Sequence, residues 1–191
     1  MVCFLLCLPS TLHQDMKEMI AMRKILWICV LAAGVMFSRA STASAQTTVI
    51  LRATLTGGEE TPNPVVTGAV GTVEIAVDPF NQEIAVQMRV WNLPTGSTAS
   101  HIHLGSKATS NPVAINFPIG AGRTGDFTLN FRVHDGPAFI PRPEIGIVTF
   151  ADALQAIAAG NAYVNVHTTT FPGGEIRGQL TVAETFPNAA Q

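Results

Sequence analysis

The sequence predicts an all-β fold, an antiparallel two-sheet β-sandwich of about eight or nine strands with one short helix near residues 150–159. Three observations carry this expectation. Apolar and polar residues alternate with a period of two over most of the chain after residue 45. Clusters of Gly, Pro, Asn and Asp interrupt the alternation at short intervals, and only one stretch switches to a helical period.

The first segment reads as a leader. Arg23 and Lys24 precede an apolar run from Ile25 to Phe37, and Ala43-Ser44-Ala45 supplies the small-x-small pattern of a signal-peptidase site. Residues 1–45 are therefore expected to be removed by cleavage after Ala45, with Met22 as the expected start of translation. The apolar run falls short of the roughly 20 residues that a helix needs to cross a bilayer, so no permanent membrane anchor is expected. A secreted or periplasmic location follows as an expectation.

Cys3, Cys7 and Cys29, the only cysteines, all lie in this leader. The remainder can form no disulfide, thiolate metal site or cysteine nucleophile, and must be held by its core. Seven basic and eleven acidic side chains follow residue 45, with Lys107 the only lysine among them. Binding to nucleic acid, which needs clustered cations, is excluded as an expectation.

The domain is expected over residues 46–183. Val49, Leu51, Ala53 and Leu55 form one face of a first strand that closes at Gly57-Gly58. Val73, Ile75 and Val77 mark a second, Asp78-Pro79-Phe80-Asn81 a turn, and Ile84, Val86, Met88 and Val90 the returning strand of a hairpin. Val113, Ile115 and Phe117 start another apolar face, and Phe127, Leu129, Phe131 and Val133 give the cleanest alternation of all. Thr149 and Asp152 form a capping-box pattern ahead of Leu154 and Ile157, with Gly160 as the stop of the helix. Glu184 to Gln191 read as a loose tail.

Two short patterns carry the chemistry. His101-Ile102-His103 places two imidazoles on one face of a strand, with Ile102 on the other. Tyr163, Asn165 and His167 share a face in the same way, and after Gly173-Gly174 so do Glu175, Arg177 and Gln179. A hairpin with Asn165 opposite Arg177 would merge these into one polar surface, provided that the His101 strand lies beside it.

Together with Leu55-Thr56-Gly57-Gly58-Glu59-Glu60-Thr61-Pro62, these patterns resemble the CHRD domain, the module named from chordin and found in bacterial secreted proteins. The resemblance covers roughly residues 48–182. It implies an immunoglobulin-like or Cu/Zn superoxide-dismutase-like sandwich, and it implies little about biochemical role. Thr61, where valine is frequent in the family, and the proline-rich stretch from His134 to Glu144 depart from the pattern.

The sequence leaves several functional readings open. The first expectation is a non-catalytic binding or structural module whose partner is an extracytoplasmic protein or an envelope polymer, with Trp91, Phe80, Phe139 and Phe171 as candidate aromatic anchors. The alternative is a mononuclear zinc or copper site on His101, His103 and His167, with Glu175 as a fourth ligand or a support behind a ring. The same residues also suit a purely structural network in which imidazoles tie loop carbonyls and Tyr163, Asn165, Glu175, Arg177 and Gln179 fix strand pairing. Enzymatic activity is not expected. Only His134 adds to the three histidines after residue 45, too few for a dinuclear dismutase site, and Ser100 points away from the face of its neighbour His101. Glu59-Glu60 are expected in an exposed loop.

Overall fold

A computed structural model describes residues 47–106 and 108–187. The expected leader, with its expected cleavage site and Met22 start, lies outside the described residues. Nine strands form one antiparallel sheet: β1 (Thr47–Thr56), β2 (Val70–Asp78), β3 (Glu83–Leu93), β4 (Ser97–Leu104), β5 (Val113–Asn116), β6 (Gly125–His134), β7 (Ala162–Thr168), β8 (Ile176–Gln179) and β9 (Thr181–Pro187). The hydrogen-bonded order is β5-β4-β7-β8-β1-β2-β3-β6, with β9 also paired to β1. Among the described residues one α-helix, α1 (Phe150–Ala158), joins them.

The two separate sheets expected from the sequence are not found as such. The strands follow a single path that curls like a half-barrel, because Thr56 at the end of β1 pairs with Arg177 of β8. Gly178 permits this joint. A Cβ at that position would lie 2.2 Å from the Thr54 carbonyl oxygen, so only a residue without one lets the two backbones approach.

The expected apolar faces become rows across neighbouring strands. Ala53, Val73, Met88 and Leu129 lie in register over β1, β2, β3 and β6, beside Leu51, Ile75, Val86 and Phe131. The β2–β3 hairpin turns where expected, and Asp78 Oδ1 accepts the backbone N–H groups of Phe80 and Asn81 at 3.0 and 3.1 Å. Helix α1 begins with the expected capping box. The Thr149 hydroxyl accepts from Asp152 N at 3.2 Å and Asp152 Oδ2 accepts from Thr149 N at 2.7 Å. Its buried face, Phe150, Ala153, Leu154 and Ile157, joins the same core. Gly160 takes the left-handed conformation, φ 75°, just past its end.

One boundary is corrected. Glu184–Pro187, expected as a loose tail, continue β9 along β1, with Ile50 opposite Glu184 and Thr47 opposite Pro187. Every residue of β9 is exposed. Backbone pairing without side-chain burial leaves no apolar period to read.

Candidate functional site

Strands β4, β7 and β8 bring the two sequence patterns together. His101 pairs with Asn165 and Asn165 with Arg177; His103 pairs with Tyr163 and Tyr163 with Gln179. The expected register is thus found, and the polar residues form two rows on one face. Unlike the outer face of β2 or β3, this face is covered. Tyr163, Asn165 and Arg177 are buried, and His103 is only 8% exposed.

Loops supply the cover and hold the rings. His103 Nδ1 lies 2.7 Å from the Asn111 carbonyl oxygen, and Asn111 N–H donates to the Tyr163 hydroxyl at 3.1 Å. His167 Nδ1 lies 2.9 Å from the Pro172 carbonyl oxygen. A carbonyl can only accept, so both rings carry their proton on Nδ1 and turn the Nε2 lone pair the other way. His167 Nε2 meets His101 Nδ1 at 3.2 Å, whereas buried His103 Nε2 has no hydrogen-bond partner.

One ring nitrogen from each of His101, His103 and His167 lies within 4.8 Å of the others. These residues form a three-histidine group able to hold a metal ion. Three donors bound at about 2.0–2.1 Å in a trigonal or tetrahedral arrangement stand about 3.3–3.6 Å apart. Closure therefore needs about 1.2–1.5 Å of ring movement at the widest pair. Burial pushes the His101 and His103 imidazoles down to about 4, and lowers that of His167. Repulsion from the neighbouring histidines adds to the effect at His101. All three rings are neutral at pH 7, the form that ligates.

Tyr163 and Arg177 back the group. The Tyr163 ring stacks on His103 with 4.7 Å between centroids and 7° between planes, and the Arg177 guanidinium lies 3.6 Å over the Tyr163 ring. Arg177 also donates to the Thr109 carbonyl oxygen at 2.8 Å. Gln179 Nε2 donates to the carbonyl oxygens of Gly160 and Ala162, each at 2.8 Å. These bonds clamp the loops that close over the polar face.

Glu175 is not brought to the histidines. Its two oxygens accept from the Thr67 and Thr168 hydroxyls, each at 2.6 Å, and the carboxylate is fully buried. The expectation of a fourth ligand or a support behind a ring is thereby corrected, since Thr67, from a loop with no readable period, captures the side chain. Other candidates also fall elsewhere. His134 Nε2 lies 3.2 Å from Glu83 Oε2 at the sheet edge, and the Ser100 hydroxyl donates to the Asn165 carbonyl oxygen at 2.8 Å. Phe139 packs edge-on against Phe150, while Phe80 is 59% exposed.

Glu60 is the residue that sequence reasoning misplaced. Expected in an exposed loop, it is 6% exposed, with Oε1 unpartnered and Oε2 3.4 Å from Asn165 Nδ2. The loop folds inward where Val65 N–H donates to the Gly57 carbonyl oxygen at 2.8 Å. Gly174, at φ 133°, makes room for the carboxyl: a Cβ there would stand 2.7 Å from Glu60 Oε1 and 2.6 Å from Asn165 Nδ2. Burial raises the Glu60 carboxyl to about 7, against the opposing pull of Arg177. The doublet Glu59-Glu60 beside Gly57-Gly58 gave the only signal, and its partners lie more than a hundred residues away.

Comparison with known proteins agrees with these motifs. The CHRD domain model matches residues 51–180, the span from the middle of β1 to the end of the β7–β8 hairpin. No curated protein and no solved structure matches the chain. With the motif-bearing strands in their expected register and the family model covering most of its length, the chain belongs to the CHRD domain family.

Proposed function

We propose that the protein is a secreted or periplasmic, non-catalytic binding module whose ligand is a single zinc or copper ion held by His101, His103 and His167. The observation that carries this reading is the pair of carbonyl clamps. Asn111 O and Pro172 O fix the Nδ1 protons of His103 and His167, so their Nε2 lone pairs are set before any ligand arrives. A buried His103 Nε2 without a hydrogen-bond partner is costly in a purely structural network and useful in a metal site. Neutral imidazoles suit zinc and copper equally well as donor types. The module reading rests on the same enclosure: the polar residues of β7 and β8 are used to cover and orient the histidines, and none is presented as a nucleophile or a base.

Metal analysis of protein purified without a histidine tag tests the proposal. About one equivalent of zinc or copper should be retained after desalting, and His103→Ala should abolish it. Less than about a tenth of an equivalent, in a protein that is otherwise folded, would reduce the three rings to hydrogen-bonded struts. N-terminal sequencing of exported protein tests the location, with Gln46 as the expected first residue.

A further inference from the structure

The charge around the three histidines bears on which cation they suit. The donors are neutral imidazoles, and the groups behind them are neutral too, since Asn111 and Pro172 offer backbone carbonyls. A carboxylate behind a ligating ring lends negative charge that stabilises a bound dication. Here Glu175 is spent on the Thr67 and Thr168 hydroxyls, and Glu60 is directed at Asn165 and Gly174. Cations, by contrast, stand close. Arg177 lies over the far face of the Tyr163 ring on which His103 stacks, and Arg142 donates to the carbonyl oxygen of Val113, the β5 residue paired with His103.

Resting on the metal-binding reading above, we infer that this site selects a singly charged soft cation, copper(I), over the divalent ions zinc and copper(II). A second unit of charge at the histidines meets the Arg177 guanidinium through the stack with no carboxylate aimed at it. At separations of about 8 Å in a partly buried site this costs on the order of tenfold in affinity. The donor count acts in the same direction. Three ring nitrogens lie together, and Glu175, the expected fourth ligand, is held by the Thr67 and Thr168 hydroxyls instead, whereas zinc almost always takes four ligands. Copper(I), a closed-shell ion content with low coordination numbers, needs neither a fourth ligand nor an ordered water there.

The test is a competition measurement on the mature chain, residues 46–191. Copper(I) is presented anaerobically against bicinchoninate, and zinc and copper(II) against chromophoric chelators of known affinity. One equivalent of copper(I) is expected to bind at least about tenfold more tightly than either divalent ion. Arg177→Met should shift the zinc-to-copper(I) preference about tenfold toward zinc. Where that variant does not fold, Arg142→Gln should shift it in the same direction by less. Voltammetry of the copper-loaded wild type gives an independent reading, a midpoint potential more positive than that of the aqueous couple. Zinc or copper(II) binding as tightly as copper(I), or a more negative potential, overturns the inference and leaves the metal site standing. Failure to bind all three ions removes the metal site itself.

Discussion

Strands β1, β2, β3 and β6 share an alternation of side chains with β4, β7 and β8, yet the two regions are held by different chemistry. In β2 and β3 buried and exposed positions alternate almost without exception. In β7 and β8 almost every position is buried, polar ones included. The first region needs only an apolar side turned to the core. The second buries both faces and meets that demand with Tyr163 on His103, Arg177 on Tyr163, and hydroxyls on Glu175. The difference shows that a strand period specifies which residues share a face, and that the loops across the sheet decide whether the face is wet.

Substitutions can break that contrast in order of effect. Ile75→Ala, in the middle of the apolar rows, should cost about 2–5 kcal/mol in chemical denaturation and leave metal stoichiometry unchanged in the folded fraction. Gly178→Ala strikes where the regions meet. Its Cβ opposes the Thr54 carbonyl oxygen, and a loss of about 3 kcal/mol is expected, with thermal melts showing the β8 region loosened first. If Gly178→Ala proved neutral, the two regions would not depend on backbone contact at that joint.

A smaller effect sharpens the contrast through pH. The Glu60 carboxyl titrates at about 7 in the fold, above the ordinary value of 4.5. The folded state therefore binds this proton more tightly than the unfolded chain. Its contribution is full below about pH 4.5, and is lost as pH rises through about 7, on the order of 3 kcal/mol in all. Glu60→Gln should keep the uncharged form at every pH. Denaturation of both proteins between pH 4.5 and 8 should show them diverging, the variant becoming relatively more stable as pH rises. Parallel curves would place Glu60 outside the buried network. The smallest effect belongs to the solvent face of the first region, where Thr128→Ala should change stability by less than about 0.5 kcal/mol.

Local and periodic features were legible in the sequence. The Asp78 turn, the Thr149–Asp152 capping box and the pairing of Asn165 with Arg177 follow from neighbouring residues or from strand parity. So does the common face of His101, His103 and His167. What escaped depends on distant approaches. Glu60 is buried only because Gly174 and Asn165 come to it, Glu175 turns from the histidines only because Thr67 reaches it, and the single curled sheet exists only because Gly178 touches Thr54. Each of these is a contact between segments whose separation carries no periodic mark. β9 escaped for a different reason, since a strand that buries no side chain looks like a tail.

The joint between β1 and β8 also bears on when the protein can fold. Among the described strands β1 comes first, yet along its β8–β9 side it pairs with residues more than a hundred positions later, Thr56 with Arg177 and Ile50 with Glu184. Hairpins such as β2–β3 close over a few residues, whereas the joint between β1 and β8 closes a loop of more than a hundred residues and carries the larger entropic cost, which makes it a late step of folding. The two ends of the described domain, Thr47 and Pro187, finish side by side as a result.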